Sequence, residues 1–291
     1  MNIVFITGTG RCGSTLVHEI LSRHPDLGFV SNIEDNLPRI NRLGRWNNAI
    51  YRTPLGAFTR KGGLRFAPSE AYNIISREVS PIYANSSRDL LAEDVTPWLE
   101  KGFKRFFESR NRAQGKPIFS HKYTGWPRIG FFHQIFQNAK FIHIIRDGRA
   151  VTNSWLQMPW WDGYRGPENW LWGELSSNYR DEWERANRSF ITLAAISWKI
   201  LMDAFARAVE ALPKKYCLCL RFEDLLKDPR EHFCKILEFV GTSWNETFER
   251  SFAKQVFHKD RQQAFRSDLA PEQVKQLEES LGEHLVCYGY E

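Results

Sequence analysis

A chain of 291 residues can bury roughly 75% of its unfolded surface, so its core needs no disulfide or metal to hold it. With 42% hydrophobic and 25% charged residues, wholesale disorder is excluded, and apolar runs such as Ile3 to Ile6 are far short of the roughly 20 residues a membrane helix needs. The balance is basic, 40 Lys and Arg against 34 Asp and Glu for a net charge of +6, which could serve nucleic acid, anionic lipid or an anionic small molecule; the cations are scattered, which argues against nucleic acid. Cys12, Cys217, Cys219, Cys234 and Cys287 are odd in number and lack C-x-x-C spacing, which fits a reducing compartment and disfavours zinc. No cationic stretch precedes the first apolar run, so the expectation is a soluble cytoplasmic protein without a signal peptide.

Strand-length apolar runs alternate with helical patterns, the sign of βαβ units and a parallel sheet. In chain order the pattern predicts a strand over 2–7, a helix over 14–22 and a strand over 27–31. A helix over 97–111, a strand over 117–123, a helix over 127–137, a strand over 140–146 and a helix over 148–157 follow. A long helix over 181–212, a strand over 216–222 and a helix over 229–239 come next. A last helix starts at Ala270-Pro271-Glu272, with Pro271 in its first turn. Residues 36–115 and 158–180 are poorly periodic, and the second segment holds Trp160, Trp161, Trp170 and Trp172. Such segments inside one domain spanning 1–291 read either as insertions shaping a binding site or as caps on the core.

The first strand runs into Gly8-Thr9-Gly10-Arg11-Cys12-Gly13-Ser14-Thr15-Leu16. A strand, a glycine loop and a helix start gather backbone N–H groups and a helix dipole around one point, which suits a phosphate-like anion. An ordinary turn with convenient glycines has the same composition. Two ligand readings compete. Gly8, Gly10 and Gly13 spell G-x-G-x-x-G, a dinucleotide pattern that wants an acid about 20 residues on for the ribose, where Glu34 and Asp35 stand. The same stretch is also G-x-x-x-x-G-[ST] without the Walker lysine, so ordinary ATP hydrolysis is not expected, and Arg11 supplies the positive charge.

A second motif follows the buried run Phe141 to Ile145, which ends in Arg146-Asp147-Gly148-Arg149-Ala150-Val151-Thr152-Asn153-Ser154. Ser154, two turns into the next helix, can share an anion with Arg146. Together the two motifs resemble the sulfotransferases that use 3′-phosphoadenosine 5′-phosphosulfate (PAPS). The stretch Arg11 to Leu16 is similar to their 5′-phosphosulfate loop, which makes Gly10, Arg11, Cys12, Gly13, Ser14 and Thr15 expected nucleotide contacts, and Arg146 with Ser154 to their 3′-phosphate element. Lys122 resembles the family's strand-end lysine on the bridging oxygen. Arg221-Phe222-Glu223-Asp224-Leu225 and Phe265-Arg266-Ser267-Asp268-Leu269 resemble later family segments, which makes Arg266 a further nucleotide contact. The likeness is greatest to the tyrosylprotein and bacterial branch.

The resemblance implies a three-layer, P-loop-type α/β fold with a mainly parallel sheet of about five strands and helical insertions. It also implies sulfuryl transfer from PAPS to a hydroxyl or amine, with no metal. Arg11, the loop amides and Lys122 are then expected to neutralise the leaving phosphate. The departures concern the loop, the adenine and the base. Cys12 and Ser14 replace the usual Ser and Thr, and Leu16 stands where the cytosolic branch stacks a Trp on the adenine. The tyrosylprotein branch's catalytic Glu falls on Asn32, and the cytosolic branch's His near Thr124. Glu34 and Asp35 are therefore the first candidates for a base, with His121 and His18 behind them. A small-molecule, carbohydrate or lipid acceptor is expected, the tryptophans favouring a sugar or an apolar surface. A nicotinamide-dependent oxidoreductase and a non-catalytic nucleotide-binding protein are the alternatives, and the oligomeric state is open.

Overall fold

The computed structural model describes residues 1–53, 64–258 and 261–290, so residues 54–63 of the 36–115 segment lie outside the described residues. Strands β1 (Asn2–Thr7), β2 (Leu27–Gly28), β3 (Ile118–Lys122), β4 (Lys140–Ile145) and β5 (Cys217–Arg221) form one sheet in the order β2-β3-β1-β4-β5. Every pairing is parallel.

Strand alternation explains the three layers. Side chains of successive strand residues point to opposite faces. Ile3, Phe5, Phe119 and Phe141 therefore pack into one apolar cluster with the Pro97–Gln114 and Ile129–Ile135 helices. Val4, Ile6, Ile118, Ile142 and Ile144 face the other way, onto α1 (Ser14–Leu21) and the Pro229–Val240 helix. Both faces of the central strands are covered, which is why they read as unbroken apolar runs. Phe5, fully buried, stacks on Phe132 and Phe141, and burial of such a ring is worth roughly 1.5–3 kcal/mol.

Three expectations are corrected by local chemistry. The second strand stops at Gly28, because Ser31 leaves the ladder to cap α2 (Asn32–Asn36), its hydroxyl accepting from Glu34 N at 3.2 Å. The long helix over 181–212 is two helices, Ser177–Arg185 and Phe190–Glu210. Asn187 and Arg188 break it with φ of 50° and 56°, and Ser189 caps the second. The last strand ends at Arg221, and Phe222 begins the helix Phe222–Lys227. Residues 36–115 also hold short helices such as Tyr72–Glu78 that periodicity missed. Among the described residues, no helix is long and apolar enough to cross a membrane.

The topology sets the position of a site. From β1 the sheet grows toward β3 and β2 on one side and toward β4 and β5 on the other. Ligands of open parallel sheets bind outside the carboxyl ends of strands at such a reversal. The glycine loop leaves β1 there, Lys122 ends β3 level with Ile6, and Arg146 follows β4.

Candidate active site

The loop after β1 is shaped by left-handed backbone at Gly10 (φ 82°), Arg11 (φ 56°) and Gly13 (φ 95°). Gly13 is required sterically as well, since a Cβ there would sit 2.2 Å from the Phe222 ring. As the N-cap of α1, Gly13 provides no side-chain acceptor, so the helix's first N–H groups carry no side-chain cap and suit an incoming anion. Cys12 is fully buried beneath the loop, whereas Gly10, Arg11, Gly13, Ser14 and Thr15 line a cavity of about 640 Å³.

The two motifs meet in space. Arg11 Nε donates to Ser154 Oγ at 2.9 Å, and Arg146 Nη1 donates to the Arg11 carbonyl at 2.8 Å. Arg146 Nη2 donates to the Arg261 carbonyl at 3.2 Å, and its guanidinium lies over the Phe222 ring. Its Nε is buried without a hydrogen-bond partner among the described residues. Burial lowers the pKa of Arg146 from the usual arginine value. An anion placed here would complete an arginine that the protein only partly satisfies.

Lys122 lies at the junction of the loop and the next region. Its Nζ donates to Thr15 Oγ1 at 2.8 Å and pairs with Glu70 Oε1 at 3.0 Å. Thr124 Oγ1 donates to the same Glu70 oxygen at 2.9 Å. Glu70 was not among the expected site residues. It arrives because residues 65–69 run along the 30–33 segment, with Ser31 bridged to Pro68 and Asn32 N bonded to the Ala67 carbonyl. The carboxylate thus comes from the strip beside Asn32, a pairing with no sequence period to betray it. Beyond Glu70 the cavity is walled by Tyr72, Trp126, Trp160 and Trp172, with Arg128 among the lining residues. Trp172 stacks on Trp155 at 5.6 Å and 13°. Of the tryptophans of 158–180, Trp160 and Trp172 reach the cavity, Trp172 from within the buried cluster that also holds Trp161 and Trp170.

None of the expected bases lines this cavity. Glu34 is fully buried, its Oε1 accepting from Arg110 Nε at 2.7 Å. Burial pushes its pKa up to about 7, against the pull of Arg110. Asp35 accepts from Ile74 N at 2.9 Å and Ser69 Oγ at 3.0 Å, fastening the Tyr72–Glu78 helix, and burial raises its pKa. With both acids engaged inside, neither is placed to hold a ribose, which removes the support for a nicotinamide reading. His121 is buried against the Tyr83 hydroxyl at 2.9 Å, and burial drives its pKa down to about 3. His18 is buried, with Nε2 3.4 Å from Ser120 Oγ. Arg266 also stays outside the cavity lining, lying over Phe265 with its Nη2 3.8 Å from Glu278. Its own segment reaches the site through the Arg261 carbonyl instead. Among the described residues, no group of three or more His, Cys, Asp or Glu is arranged to hold a metal ion.

Comparison with known proteins agrees with this geometry. A model of the sulfotransferase family matches residues 3–246. Protein-tyrosine sulfotransferase 1 of Danio rerio is 24% identical over 248 residues, covering 84% of this chain and 55% of the relative. The Drosophila melanogaster protein-tyrosine sulfotransferase is 22% identical over 250 residues, covering 84% of this chain and 39% of its own. The chain therefore spans about half the length, or less, of these curated relatives. Sulfotransferase STF9 from Mycobacterium avium shares the fold at a TM-score of 0.59 and 16% identity, over 100% of this chain and 77% of that one. The sulfotransferase domain from the curacin biosynthetic pathway does so at 0.52 and 12% identity, over 97% of each chain.

Proposed function

The chain belongs to the sulfotransferase family, and we propose that it moves a sulfuryl group from PAPS to a hydroxyl acceptor. The observation that carries this reading is the junction of two anion-binding elements, where Arg146 and Ser154 of the second motif both bond Arg11 of the first. A nucleotide with phosphates at its 5′ and 3′ positions matches such a pair, whereas a single-phosphate ligand needs only one. In this reading Gly10, Arg11, Gly13, Ser14 and Thr15 hold the 5′-phosphosulfate. Arg146, whose Nε has no partner among the described residues, and Ser154 hold the 3′-phosphate. The Cys12 side chain is buried and Arg266 does not line the cavity.

Sulfuryl transfer needs in-line placement and neutralisation of the charge that grows on the leaving phosphate. Arg11 and Lys122 supply fixed positive charge beside the loop, and each such preorganised donor is worth about 10²–10³ in rate. Residues 36–115 and 158–180, in a single domain over 1–291, shape the acceptor side, to which they bring Glu70, Tyr72, Trp160 and Trp172. Curated relatives named for transfer to protein tyrosine support a hydroxyl as the acceptor group. Five free cysteines support a cytoplasmic setting.

A thermal shift with 3′,5′-ADP, NAD⁺ and ATP tests the reading. A ligand of the native state at 100 times its Kd adds about 2.7 kcal/mol of stability. Stabilisation by 3′,5′-ADP above the other two is expected. Stabilisation by NAD⁺ alone would overturn the assignment.

A further inference from the structure

We propose that Glu70 is the general base of the reaction, a catalytic residue supplied by the 65–70 strip in place of the acid missing at Asn32. The inference rests on the sulfotransferase reading and assigns within it the group that takes the acceptor's proton. Three observations carry it. Among the described residues lining the cavity, Glu70 is the only carboxylate, and no histidine lines it. Glu70 touches Lys122, which in turn touches Thr15 of the phosphosulfate loop, so the carboxylate stands one side chain away from the leaving phosphate. Both of its close contacts, Lys122 Nζ and Thr124 Oγ1, fall on Oε1, and Oε2 has no protein partner among the described residues. Its side chain is 26% exposed, so an acceptor can reach that oxygen.

Lys122 and Glu70 are suited to act together. The Glu70 carboxylate takes the proton of the acceptor hydroxyl as the acceptor oxygen bonds to sulfur. The bond from sulfur to the bridging oxygen breaks, and its electron pair stays on the 5′-phosphate. Lys122 then faces new negative charge on the phosphate just as Glu70 becomes a neutral acid, so its attraction passes from one partner to the other. One cation serves the resting carboxylate and the leaving group in turn, and Thr15 keeps it at the loop throughout. Proton removal of this kind contributes typically 10²–10⁴-fold.

The obvious competing role for Glu70 is to hold Lys122 in place, and the test separates the two. Transfer from PAPS to a series of phenols, from unsubstituted phenol to 4-nitrophenol, is compared in wild type, Glu70→Gln and Glu70→Asp. Hydrolysis of PAPS, with water as the acceptor, is followed alongside, and 3′,5′-ADP affinity is measured by calorimetry. Glu70→Gln should bind 3′,5′-ADP as wild type does and lose 10²-fold or more in kcat with phenol or water. The loss should shrink toward 4-nitrophenol, whose hydroxyl ionises near neutral pH, and Glu70→Asp should recover part of the rate. A loss equal across the phenols, or one that Glu70→Asp fails to relieve, would make Glu70 a positioning residue for Lys122. Full turnover in Glu70→Gln would remove it from the reaction. A wild-type protein that binds 3′,5′-ADP but not PAPS, or that consumes no PAPS with any acceptor including water, would overturn the parent reading instead.

Discussion

Two carboxylate–cation pairs sit on either side of the strip that follows β2, and they differ in nearly everything but chemistry. Glu34 and Arg110 are sealed in, their side chains 0% and 2% exposed, with Asn47 and Glu78 as further partners. Glu70 and Lys122 are 26% and 9% exposed and border the cavity. The first pair binds α2 to the Pro97–Gln114 helix, buried away from the cavity that holds the glycine loop. The second is incomplete among the described residues, with one carboxylate oxygen lacking a partner and a lysine shared with the anion loop. Identity of side chain thus says little about role; what decides it is whether a pair's remaining hydrogen-bonding capacity faces protein or solvent.

The harshest way to break the contrast is to remove one partner of the sealed pair. Arg110→Met should destabilise the fold by about 3–5 kcal/mol, because Glu34 is left buried without its guanidinium. Urea unfolding measures this, and a change below 1 kcal/mol would mean the pair is not structural. Removing the cation of the open pair should act on rate instead. Lys122→Ala should cost about 10²–10³ in kcat, or roughly 2.7–4 kcal/mol of transition-state stabilisation, with 3′,5′-ADP affinity little altered. Parallel loss of affinity and kcat would place Lys122 in ground-state binding. A smaller effect is expected after β4. Arg146→Ala should weaken 3′,5′-ADP by about 1.5–3 kcal/mol while sparing 5′-AMP, since a charged hydrogen bond is lost from only one phosphate. Equal weakening of both nucleotides in calorimetry would mean that Arg146 does not read the 3′ position.

The same contrast explains what could be read without a structure. The anion side of the site is local in sequence. Gly10 to Thr15 is one loop between a strand and a helix, Arg146 and Ser154 lie on one strand–helix turn, and Lys122 ends an apolar strand. Strand periodicity and the family resemblance together point to these groups, and the structure brings the loop, Lys122 and Arg146 to the carboxyl ends of neighbouring strands. The acceptor side is assembled from afar. Glu70 reaches Lys122 through the pairing of residues 65–69 with 30–33, and the helix that follows it, Tyr72–Glu78, is too short for a hydrophobic period to stand out. Glu34 was attractive because it follows the second strand at nearly the right distance. The turn into α2 then rotates it into the core toward Arg110, a residue on a helix with no visible link to it in sequence. Such tertiary pairings between irregular segments carry no local signature.

The finest test asks which force governs the sealed pair itself. Burial raises the Glu34 pKa from 4.5 to about 7, and the attraction of Arg110 only partly opposes it. The folded protein then holds this proton more tightly than the unfolded chain does. Its contribution to stability is full below about pH 4.5 and is lost as pH rises through 7. Glu34→Gln keeps the shape and hydrogen-bonding capacity of the neutral acid but has no proton to lose, so it lacks that decline. The variant should be close to wild type in stability at pH 5 and gain on it between pH 5 and 8, by no more than about 3 kcal/mol. Turnover per folded molecule should stay at the wild-type level throughout, because Glu34 does not line the cavity. Urea unfolding at several pH values, with activity measured in parallel, makes the comparison. If Glu34→Gln instead falls behind wild type as pH rises, ion pairing outweighs desolvation at this site, and the pair is held together by its charges rather than in spite of them.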